Sequence, residues 1–317
     1  MDRRNTPIDV VAGVIRGSDE RILICLRPRR LHQGGLWEFP GGKRESGESR
    51  LAALARELRE EIGIELRRAT PLLRLKHDYG DKIVSLDVWD VTAWDGSASG
   101  LEGQELQWVD VSVLPRFDFP AANATIIAAA RLPRVMLVAD WTHLSADRHL
   151  RALERHLQAG CRLAVVPYSP HGCANFASRA ADLATRYAAE FHFFGAPAET
   201  QRYPGLHVRL PGSQSTPIPS GRVLSATVGT LEDFRLAESA GAEWIVLASA
   251  AASGQEFRAH LTMSGTPAYR AGACSESGYV NAIGEGYQGI VVCEPGQTEA
   301  YARCERWIDD ADFSGLS

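Results

Sequence analysis

The segment from Gly42 to Ile64, GKRESGESRLAALARELREEIGI, limits the possible folds of this 317-residue chain more than any other. Apolar side chains recur in it at the spacing of one helical face, which predicts a helix from about Ser49 to Ile62. Glu57, Glu60 and Glu61 are three and four residues apart, so their side chains can all point the same way. The chain therefore needs a fold that buries one face of this helix and leaves a row of carboxylates open.

Such a row is unfavourable by itself, because like charges at this spacing repel. A hard divalent cation relieves the repulsion, and clustered carboxylates suit Mg²⁺. The other interpretation is a solvated acidic face balanced by Arg56 and Arg59. The flanking glycines favour a metal site, because Gly41 and Gly42 allow the backbone to approach a ligand closely and Gly63 can end the helix as a C-cap.

The whole segment follows the pattern Gly-x5-Glu-x7-Arg-Glu-U-x-Glu-Glu-x-Gly-U, in which U is a bulky aliphatic residue. It resembles the Nudix box with every position filled. The matching residues are Gly42, Glu48, Arg56, Glu57, Leu58, Glu60, Glu61, Gly63 and Ile64. The resemblance implies metal-assisted hydrolysis of a phosphoanhydride, with Mg²⁺ as the cofactor and Mn²⁺ as a possible substitute.

The resemblance also implies a role for each polar residue of the box. The metal ligands would be one backbone carbonyl and three carboxylates, from Gly41, Glu57, Glu60 and Glu61. Glu57 is also the candidate catalytic base, although the family does not place its base uniformly. Arg56 would orient the glutamates through charge-assisted hydrogen bonds, and Glu48 would support the geometry where the loop enters the helix.

Flanking segments resemble those of the MutT subgroup, the 8-oxo-dGTP diphosphatases: LWEFPGGK at 36–43, EGQ at 102–104 and DFPAAN at 118–123. This resemblance covers about Val10 to Ala130. It implies an enzyme that hydrolyses 8-oxo-dGTP to 8-oxo-dGMP and pyrophosphate, which cleanses the nucleotide pool and avoids mutations. The partner would be a small nucleotide, with no direct binding to nucleic acid.

Residues for this substrate follow from the same resemblance. Glu102 would be a further metal ligand, and Arg27 and Lys43 would meet the phosphates. Asn123, with Phe39 near it, would recognise the purine, because an asparagine amide offers both a donor and an acceptor to the base edge.

Structural alternatives exist for three of these residues. Phe39 could be a simple core residue, Glu102 an ordinary residue of a Gly-rich loop, and Asn123 an N-cap of the helix that follows. His32 could contact the base or lie on the surface.

The first half of the chain predicts an α+β domain with a mixed sheet. Its first strand candidate is Ile8–Ile15, and Arg21–Leu26 after a turn is predicted to pair with it as a hairpin. Further strands are predicted at Lys82–Val91 and Leu106–Val109, and Ala121–Ala130 is predicted to form a closing helix.

The second half alternates short apolar runs with helical stretches, which predicts a (β/α)8 barrel. We place the domain boundary between Leu132 and Pro133, so that residues 1–132 and 133–317 form the two domains. The stretch 211–221 is predicted to be a loop. The eight strand candidates are Val135–Ala139, Leu163–Val166, Phe191–Phe194, Leu206–Val208, Val223–Ala226, Trp244–Ala248, Ala268–Ala271 and Gly289–Val292.

This order of runs resembles thiamine phosphate synthase and its relatives, with GLHV at 205–208 in place of that family's Gly-Val-His strand. The departures weigh more. The chain has no lysine after Lys82, so the family's catalytic lysine is missing, and its double-glycine phosphate loop is reduced to Gly272. A barrel can keep its fold while losing its site, so we expect a degenerate barrel that is non-catalytic or binds a ligand.

Composition narrows the remaining possibilities. A formal net charge of −5 gives no general basic surface for nucleic acid. No apolar run approaches the roughly twenty residues of a membrane helix, and the first residues lack the apolar stretch of a signal peptide. These features predict a cytoplasmic protein that does not bind membranes. They leave the oligomeric state open.

Two alternative functions remain. The domain could act on another diphosphate, such as a thiamine precursor or a damaged analogue, as the second half suggests. It could instead be a non-catalytic sensor that binds a nucleotide. Degenerate glutamates would be expected of a sensor, and the intact Glu57, Glu60 and Glu61 argue against it.

Overall fold

The structure is a computed structural model that describes residues 7–29, 33–173, 175–194, 202–210, 223–248, 254–272, 275–309, 311 and 313. His32 and the loop predicted at 211–221 lie outside these ranges. The chain divides into two compact units, one formed mainly by the chain up to Arg131 and the other mainly by the chain from Leu132. Within the described ranges, no helix is long and apolar enough to cross a membrane.

The first unit has the predicted α+β architecture. It contains a mixed sheet with the strand order β4-β1-β6-β5 and a smaller antiparallel sheet with the order β3-β2-β7. Its elements are β1 (Ile8–Ile15), β2 (Ile22–Leu26), β3 (Trp37–Glu38), β4 (Gly41–Lys43), α1 (Arg50–Ile62), β5 (Glu65–Asp78), β6 (Ile83–Asp95), β7 (Leu106–Val109), a 3-10 helix (Val111–Arg116) and α2 (Asn123–Arg131).

The predicted hairpin between the first two strands is wrong. β1 pairs with β4 on one edge and runs parallel to β6 on the other, while β2 pairs with β3 and β7. The connection between them closes only locally, with an isolated bridge between Arg16 and Ile22 and a hydrogen bond from Gly17 N to Arg21 O at 2.8 Å. Both edges of β1 are occupied by strands that come later in the chain, so β2 is left to form a second sheet.

Helix α1 forms where the sequence predicts it. The Ser49 side chain accepts a hydrogen bond from the amide of Ala52 and caps the first turn. Gly63 ends the helix in the left-handed conformation, with φ of 70°, and its N–H donates to Arg59 O at 3.1 Å. Leu54 and Leu58 are fully buried, so the apolar face is covered and the opposite charged face remains available.

The second unit is the predicted barrel of eight parallel strands, closed by pairing of its last strand with its first. All eight strand candidates are strands. The elements are β8 (Val135–Val138), α3 (Ala146–Gln158), β9 (Leu163–Pro167), a 3-10 helix (Pro170–Gly172), α4 (Phe176–Arg186), β10 (Glu190–Phe194), β11 (Gly205–Arg209), β12 (Val223–Val228), α5 (Leu231–Ser239), β13 (Ala242–Leu247), α6 (Gln255–Ser264), β14 (Ala268–Ala271), α7 (Glu276–Gly284), β15 (Gly289–Val292) and α8 (Ala300–Asp309).

Part of the barrel is crossed by a continuous chain of polar side chains. His192 Nε2 lies 2.8 Å from Glu190 Oε1, and His192 Nδ1 lies 2.7 Å from Ser225 Oγ. The same hydroxyl lies 2.8 Å from His207 Nδ1, and His207 Nε2 lies 2.7 Å from Thr227 Oγ1. Both histidines and Ser225 are buried. Each imidazole nitrogen therefore has a partner, as buried polar groups require.

Candidate active site

A cavity of about 190 Å³ opens in the first unit beside β4. Residues of β1, β6 and α2 form much of its wall, including the apolar side chains of Val84 and Ile126. The backbone of Gly41 and Gly42 forms another part of the wall. The cavity therefore adjoins the start of the glycine-rich segment that precedes the acidic helix.

Gly41 is required by the backbone around it, and Gly42 leaves room for the Glu57 side chain. Gly41 has φ of 148°, and a Cβ atom there would lie 2.1 Å from Val11 O. A Cβ atom at Gly42 would lie 2.2 Å from Glu57 Oε2. Contacts this short are impossible for a real side chain, so glycine lets the Glu57 carboxylate lie directly against the backbone of β4.

Arg56 connects the remaining carboxylates of the box. Its Nε and Nη2 donate to the two oxygens of Glu48, each at 3.0 Å. Its Nη1 donates to Glu57 Oε1 at 2.8 Å and to Glu60 Oε2 at 3.2 Å, and its Nη2 also reaches Lys43 O at 2.9 Å. One planar guanidinium thus fixes three glutamates relative to β4.

Glu61 lies at the centre of a negative cluster. One carboxylate oxygen accepts the N–H of Gly41 at 2.9 Å. Burial, with the charges of Glu38, Glu57 and Glu102 adding to it, raises the pKa of Glu61 to about 8 against the lowering effect of the Gly41 hydrogen bond. The cluster is therefore short of positive charge at the position of Glu61.

The ligand atoms of these residues suit a hard divalent cation. Every side-chain donor in the cluster is a carboxylate oxygen, which Mg²⁺ prefers, and added positive charge would offset the strain at Glu61. No group of three or more His, Cys, Asp or Glu side chains in the described part of the chain is arranged as a ready metal cage. Arg56 engages Glu57 and Glu60 in this arrangement, so metal binding requires local rearrangement of those side chains.

Asn123 and Phe39 meet at the cavity. Phe39 is buried and stacks on Phe119 with ring centroids 5.4 Å apart, so it belongs to the core and to the cavity wall at once. Asn123 is the first residue of α2, and its backbone N–H donates to Pro120 O. Its side chain makes no hydrogen bond to any described residue, although it is 93% buried. The amide does not act as a cap and remains available to the cavity.

The residues expected near the phosphates lie at different depths. Arg27 lines the cavity and its Nη1 donates to Glu38 Oε2 at 2.6 Å, so its charge is already paired with a carboxylate. Lys43 is exposed at the rim. Glu102 is exposed in the loop before β7, and its charge raises the pKa of both Glu61 and Glu38. The structure thus brings Glu102 within electrostatic reach of the glutamates.

Sequence reasoning missed four further residues of this site, namely Gln33, Glu38, Tyr79 and Lys82, which all line the cavity. One signal for them existed. The three lysines of the chain all fall within the first 82 residues, and two of them, Lys43 and Lys82, line this cavity. Glu38 stands in the LWEFPGGK segment, but its place among the carboxylates depends on β3 lying beside β2.

Comparison with known proteins agrees with this geometry. The NUDIX domain model matches residues 11–129. The chain is 36% identical over 121 residues to an 8-oxo-dGTP diphosphatase of Escherichia coli, which covers 38% of this chain and 94% of that protein. It is 41% identical over 120 residues to an 8-oxo-dGTP diphosphatase of Haemophilus influenzae, covering 38% of this chain and 88% of that protein.

A third relative is named for a different activity. The chain is 35% identical over 133 residues to a CTP pyrophosphohydrolase of Escherichia coli, covering 42% of this chain and 98% of that protein. All three matches span nearly the whole of the relative and little more than a third of this chain. Through its N-terminal domain, with a filled Nudix box beside a cavity, this chain belongs to the Nudix hydrolase family.

Proposed function

We propose that the N-terminal domain hydrolyses 8-oxo-dGTP to 8-oxo-dGMP and pyrophosphate, with Mg²⁺ as the cofactor, and so removes a mutagenic precursor from the nucleotide pool. The buried Asn123 amide in the cavity wall carries this proposal. An unused amide in an apolar wall presents a donor and an acceptor, which matches the edge of an oxidised guanine. The relatives named 8-oxo-dGTP diphosphatases support the same substrate.

In this proposal the base enters the cavity and the phosphates lie toward β4. The apolar wall at Phe39 packs against the ring, and Asn123 reads its edge. Lys43 at the rim and Lys82 in the wall supply positive charge toward the phosphates. Arg27 assists only if its pairing with Glu38 loosens, because its guanidinium already donates to that carboxylate.

The hydrolytic step is assigned to the glutamates of α1. When bound, a divalent cation supplies neutralisation of phosphate oxygens and a more acidic water. Glu57 accepts the proton of the attacking water, and its contact with Gly42 fixes where that oxygen lies. Arg56 orients Glu57 and Glu60, and Glu48 holds the other edge of the guanidinium. Glu57, Glu60, Glu61 and Glu102, with the Gly41 carbonyl, would hold the metal.

A hydrolysis screen of the full chain tests the proposal. It compares 8-oxo-dGTP, dGTP and CTP at equal concentration with Mg²⁺, Mn²⁺ or chelator, and identifies the products. We expect the highest kcat/KM with 8-oxo-dGTP, release of pyrophosphate rather than phosphate, and no activity in chelator. A higher kcat/KM with dGTP would contradict the substrate assignment, and hydrolysis in chelator would contradict the cofactor.

A pyrimidine triphosphate is the second candidate substrate. The similarity to a CTP pyrophosphohydrolase over 98% of that relative favours it. The box and its glutamates serve both substrates equally, because they act on the phosphates. The base cavity distinguishes them, so a kcat/KM with CTP above that with 8-oxo-dGTP would replace the first proposal with this one. A thiamine precursor belongs in the same screen.

For the C-terminal barrel, bounded at 133–317, we propose a degenerate relative of thiamine phosphate synthase without that activity. The absence of lysine after Lys82 supports this. Inside it, the polar side chains from Glu190 to Thr227 are engaged with one another. Formation of thiamine phosphate from its two precursors by the full chain would overturn the proposal.

A further inference from the structure

Arg50, the first residue of α1, is a buried cation in an unfavourable place. It is only 5% exposed. The N-terminus of a helix carries partial positive charge, so a cation in the first turn is opposed by the helix dipole. Ser49 already caps the helix, and Arg50 is not needed to start it. Some other contact must therefore account for the arginine.

That contact is a buried ion pair with Asp87 on β6. Nε and Nη2 of Arg50 donate to the two carboxylate oxygens of Asp87, the second at 2.5 Å. The guanidinium also lies 5.2 Å from the ring centroid of Trp89. A buried pair of this kind is weak evidence for stability, because desolvation offsets the attraction. A two-pronged arginine–carboxylate pair does fix direction and distance.

The pair is aligned with the active site through the sheet. In register, Asp87 on β6 lies beside Val11 on β1, and Val11 lies beside Gly42 on β4. Two strand spacings, about 9.6 Å, separate the ends of this row. On α1, Arg50 and Glu57 are two turns apart on one face, which is about 10.5 Å along the helix. The helix therefore meets the same row of the sheet twice, at Asp87 through Arg50 and at Gly42 through Glu57.

We propose that Arg50 and Asp87 are positioning residues that set the rotation of α1 and so hold the Glu57 carboxylate against Gly42. The inference rests on the proposed role of Glu57 in hydrolysis. The last turn of α1 is held separately, because Leu101 N and Gln104 Nε2 both donate to Glu61 O at 2.9 Å. The fork at Arg50 is the directional contact at the opposite end.

Small rotations matter here. A turn of about 10° moves an atom that lies 6 Å from the helix axis by about 1 Å. Misplacement by about 1 Å can reduce an enzymatic rate about 100-fold. Apolar contacts of Leu54 and Leu58 bury area without setting direction, so they do not prevent such a rotation by themselves. The ion pair supplies a directional constraint at the first turn, in addition to the hydrogen bond from Arg56 Nη2 to Lys43 O further along the helix.

The decisive variant replaces both partners. Arg74 on β5 lies near the pair, and its pKa is lowered first by burial and then by the charges of Arg50. In Arg50→Met alone, Arg74 is available to approach Asp87. The single variant therefore mixes the loss of one ion pair with the approach of a second arginine. Arg50→Met/Asp87→Leu removes both charges and fills the space with apolar side chains. Such replacements usually keep or raise stability, so the double variant separates folding from positioning.

Two readouts are required, and one does not depend on activity. In metal-free protein, the amide signal of Gly41 reports its hydrogen bond to Glu61, and that of Gly42 reports the neighbouring Glu57 carboxylate. We expect both signals to shift in the double variant while the melting temperature is unchanged or higher. We also expect kcat for metal-dependent hydrolysis to fall about 10- to 100-fold with little change in KM, and Mn²⁺ binding measured by calorimetry to weaken severalfold.

A second ion pair on β6 provides the matched control. Arg16 Nε donates to Asp90 Oδ1 at 2.7 Å, and Asp90 lies on the opposite face of the strand from Asp87. Arg16→Met/Asp90→Leu should leave the Gly41 and Gly42 amides, kcat and Mn²⁺ binding unchanged. Unshifted amides in the Arg50/Asp87 double variant would overturn the inference, as would wild-type kcat. If the wild-type chain lacks metal-dependent hydrolysis, the proposed function fails and the amide signals alone decide the positioning role.

Discussion

Glu61 in the Nudix domain is a partly buried ionisable side chain and His207 in the barrel a fully buried one, but their surroundings differ in a more important respect. Glu61 has three other carboxylates within electrostatic reach and a single backbone N–H as its hydrogen-bond donor. His207 has a hydroxyl partner at each ring nitrogen, and burial holds its pKa well below the usual range. The cluster around Glu61 lacks a compensating positive charge, whereas the hydrogen bonds around His207 are all formed.

The hydrogen bonds among the polar side chains inside the barrel, from Glu190 to Thr227, can be checked donor by donor. With Glu190 ionised, His192 Nε2–H donates to that carboxylate and its Nδ1 accepts the O–H of Ser225. His207 Nδ1–H then donates to Ser225 Oγ, and its Nε2 accepts the O–H of Thr227. Every donor in this arrangement is used once, so the hydrogen bonds of these side chains are satisfied without a ligand from outside.

This difference distinguishes a ligand-binding site from a group of buried polar residues that only stabilises the fold. Buried polar groups that satisfy one another specify a fold and leave little for a ligand to gain. A cluster with unbalanced charge raises the energy of the empty state, and a ligand of opposite charge lowers it. The raised pKa of Glu61, caused by burial and by the neighbouring carboxylates, therefore indicates function more strongly than the mere presence of polar residues inside the barrel.

The largest expected effect comes from removing the charge of Glu57. Glu57→Gln keeps the shape of the side chain but removes its basicity, so kcat should fall by at least about 100-fold. The matched control is Glu65→Gln just beyond α1, where the exposed carboxylate pairs with Arg59. Steady-state kinetics at saturating Mg²⁺ measure both. Near wild-type kcat in Glu57→Gln would remove this residue from the mechanism and weaken the contrast with the barrel.

Base recognition should depend on Asn123. Asn123→Ala should reduce the preference for 8-oxo-dGTP over dGTP by roughly 1–3 kcal/mol, because a hydrogen-bonding amide is lost from a buried site. Asn123→Asp keeps the size and an acceptor but loses the donors, so it shows which function of the amide is used. The measurement is the ratio of kcat/KM for the two nucleotides. An unchanged ratio would assign Asn123 to a structural role.

The hydrogen-bonded side chains inside the barrel should contribute to stability and not to hydrolysis. Ser225→Ala leaves Nδ1 of both His192 and His207 without its partner, which should cost about 1–3 kcal/mol of unfolding free energy. Ser239→Ala, at the exposed end of α5, is the control and should cost under about 0.5 kcal/mol. Urea unfolding measures both variants. A large loss of diphosphatase activity in Ser225→Ala, with the protein still folded, would contradict the separation of the two clusters.

The two domains should respond to pH in opposite directions. Burial lowers the pKa of His156 on α3 to about 4, so its contribution to stability is lost as pH falls from about 6.5 to 4. Burial raises the pKa of Glu61 to about 8, so in metal-free protein stability is lost as pH rises from about 4.5 to 8. Thermal unfolding of His156→Gln and Glu61→Gln across pH 4–9 measures each. A pH profile unchanged by either substitution would contradict the assignment.

The smallest expected effect is the release of a single proton when the metal binds. Because Glu61 binds a proton below pH 8, metal binding at pH 6.5 should release about one proton, and at pH 9 nearly none. Calorimetry of Mn²⁺ binding in buffers with different ionisation enthalpies counts the protons released. Glu61→Gln should abolish the release at pH 6.5. Equal release at both pH values in the wild-type chain would show that another group carries the proton.

Local signals explain which elements were predicted. The cap at Ser49, the helical spacing of apolar residues and the glycine at 63 all act within a few residues, and α1 forms between them. The barrel strands are short apolar runs that are buried on both faces, so each is recognisable alone. Strand β5 was not predicted, because Arg67 and Arg68 interrupt its apolar pattern and suggest exposed surface.

Pairing between distant segments explains what was missed. Nothing in Ile8–Ile15 indicates that β4 and β6 occupy both of its edges, and the short turn after it made a hairpin with β2 the expected arrangement. The same reasoning applies to Asp87, which meets Arg50 only because β6 lies two strands from β4. Glu38 likewise comes near Tyr79 and Lys82, which share one turn, only through the two sheets.

The sequence alone determined the chemistry of the first domain and the architecture of both, because the Nudix box and the strand–helix alternation are patterns of neighbouring residues. Only the tertiary structure decided which charges remain unbalanced. The electrostatic environments of Glu61 and His207 are set by burial and by partners that lie far away in the chain. Electrostatic energy depends on distance in space and on exclusion of water, and neither quantity is written in the order of the residues.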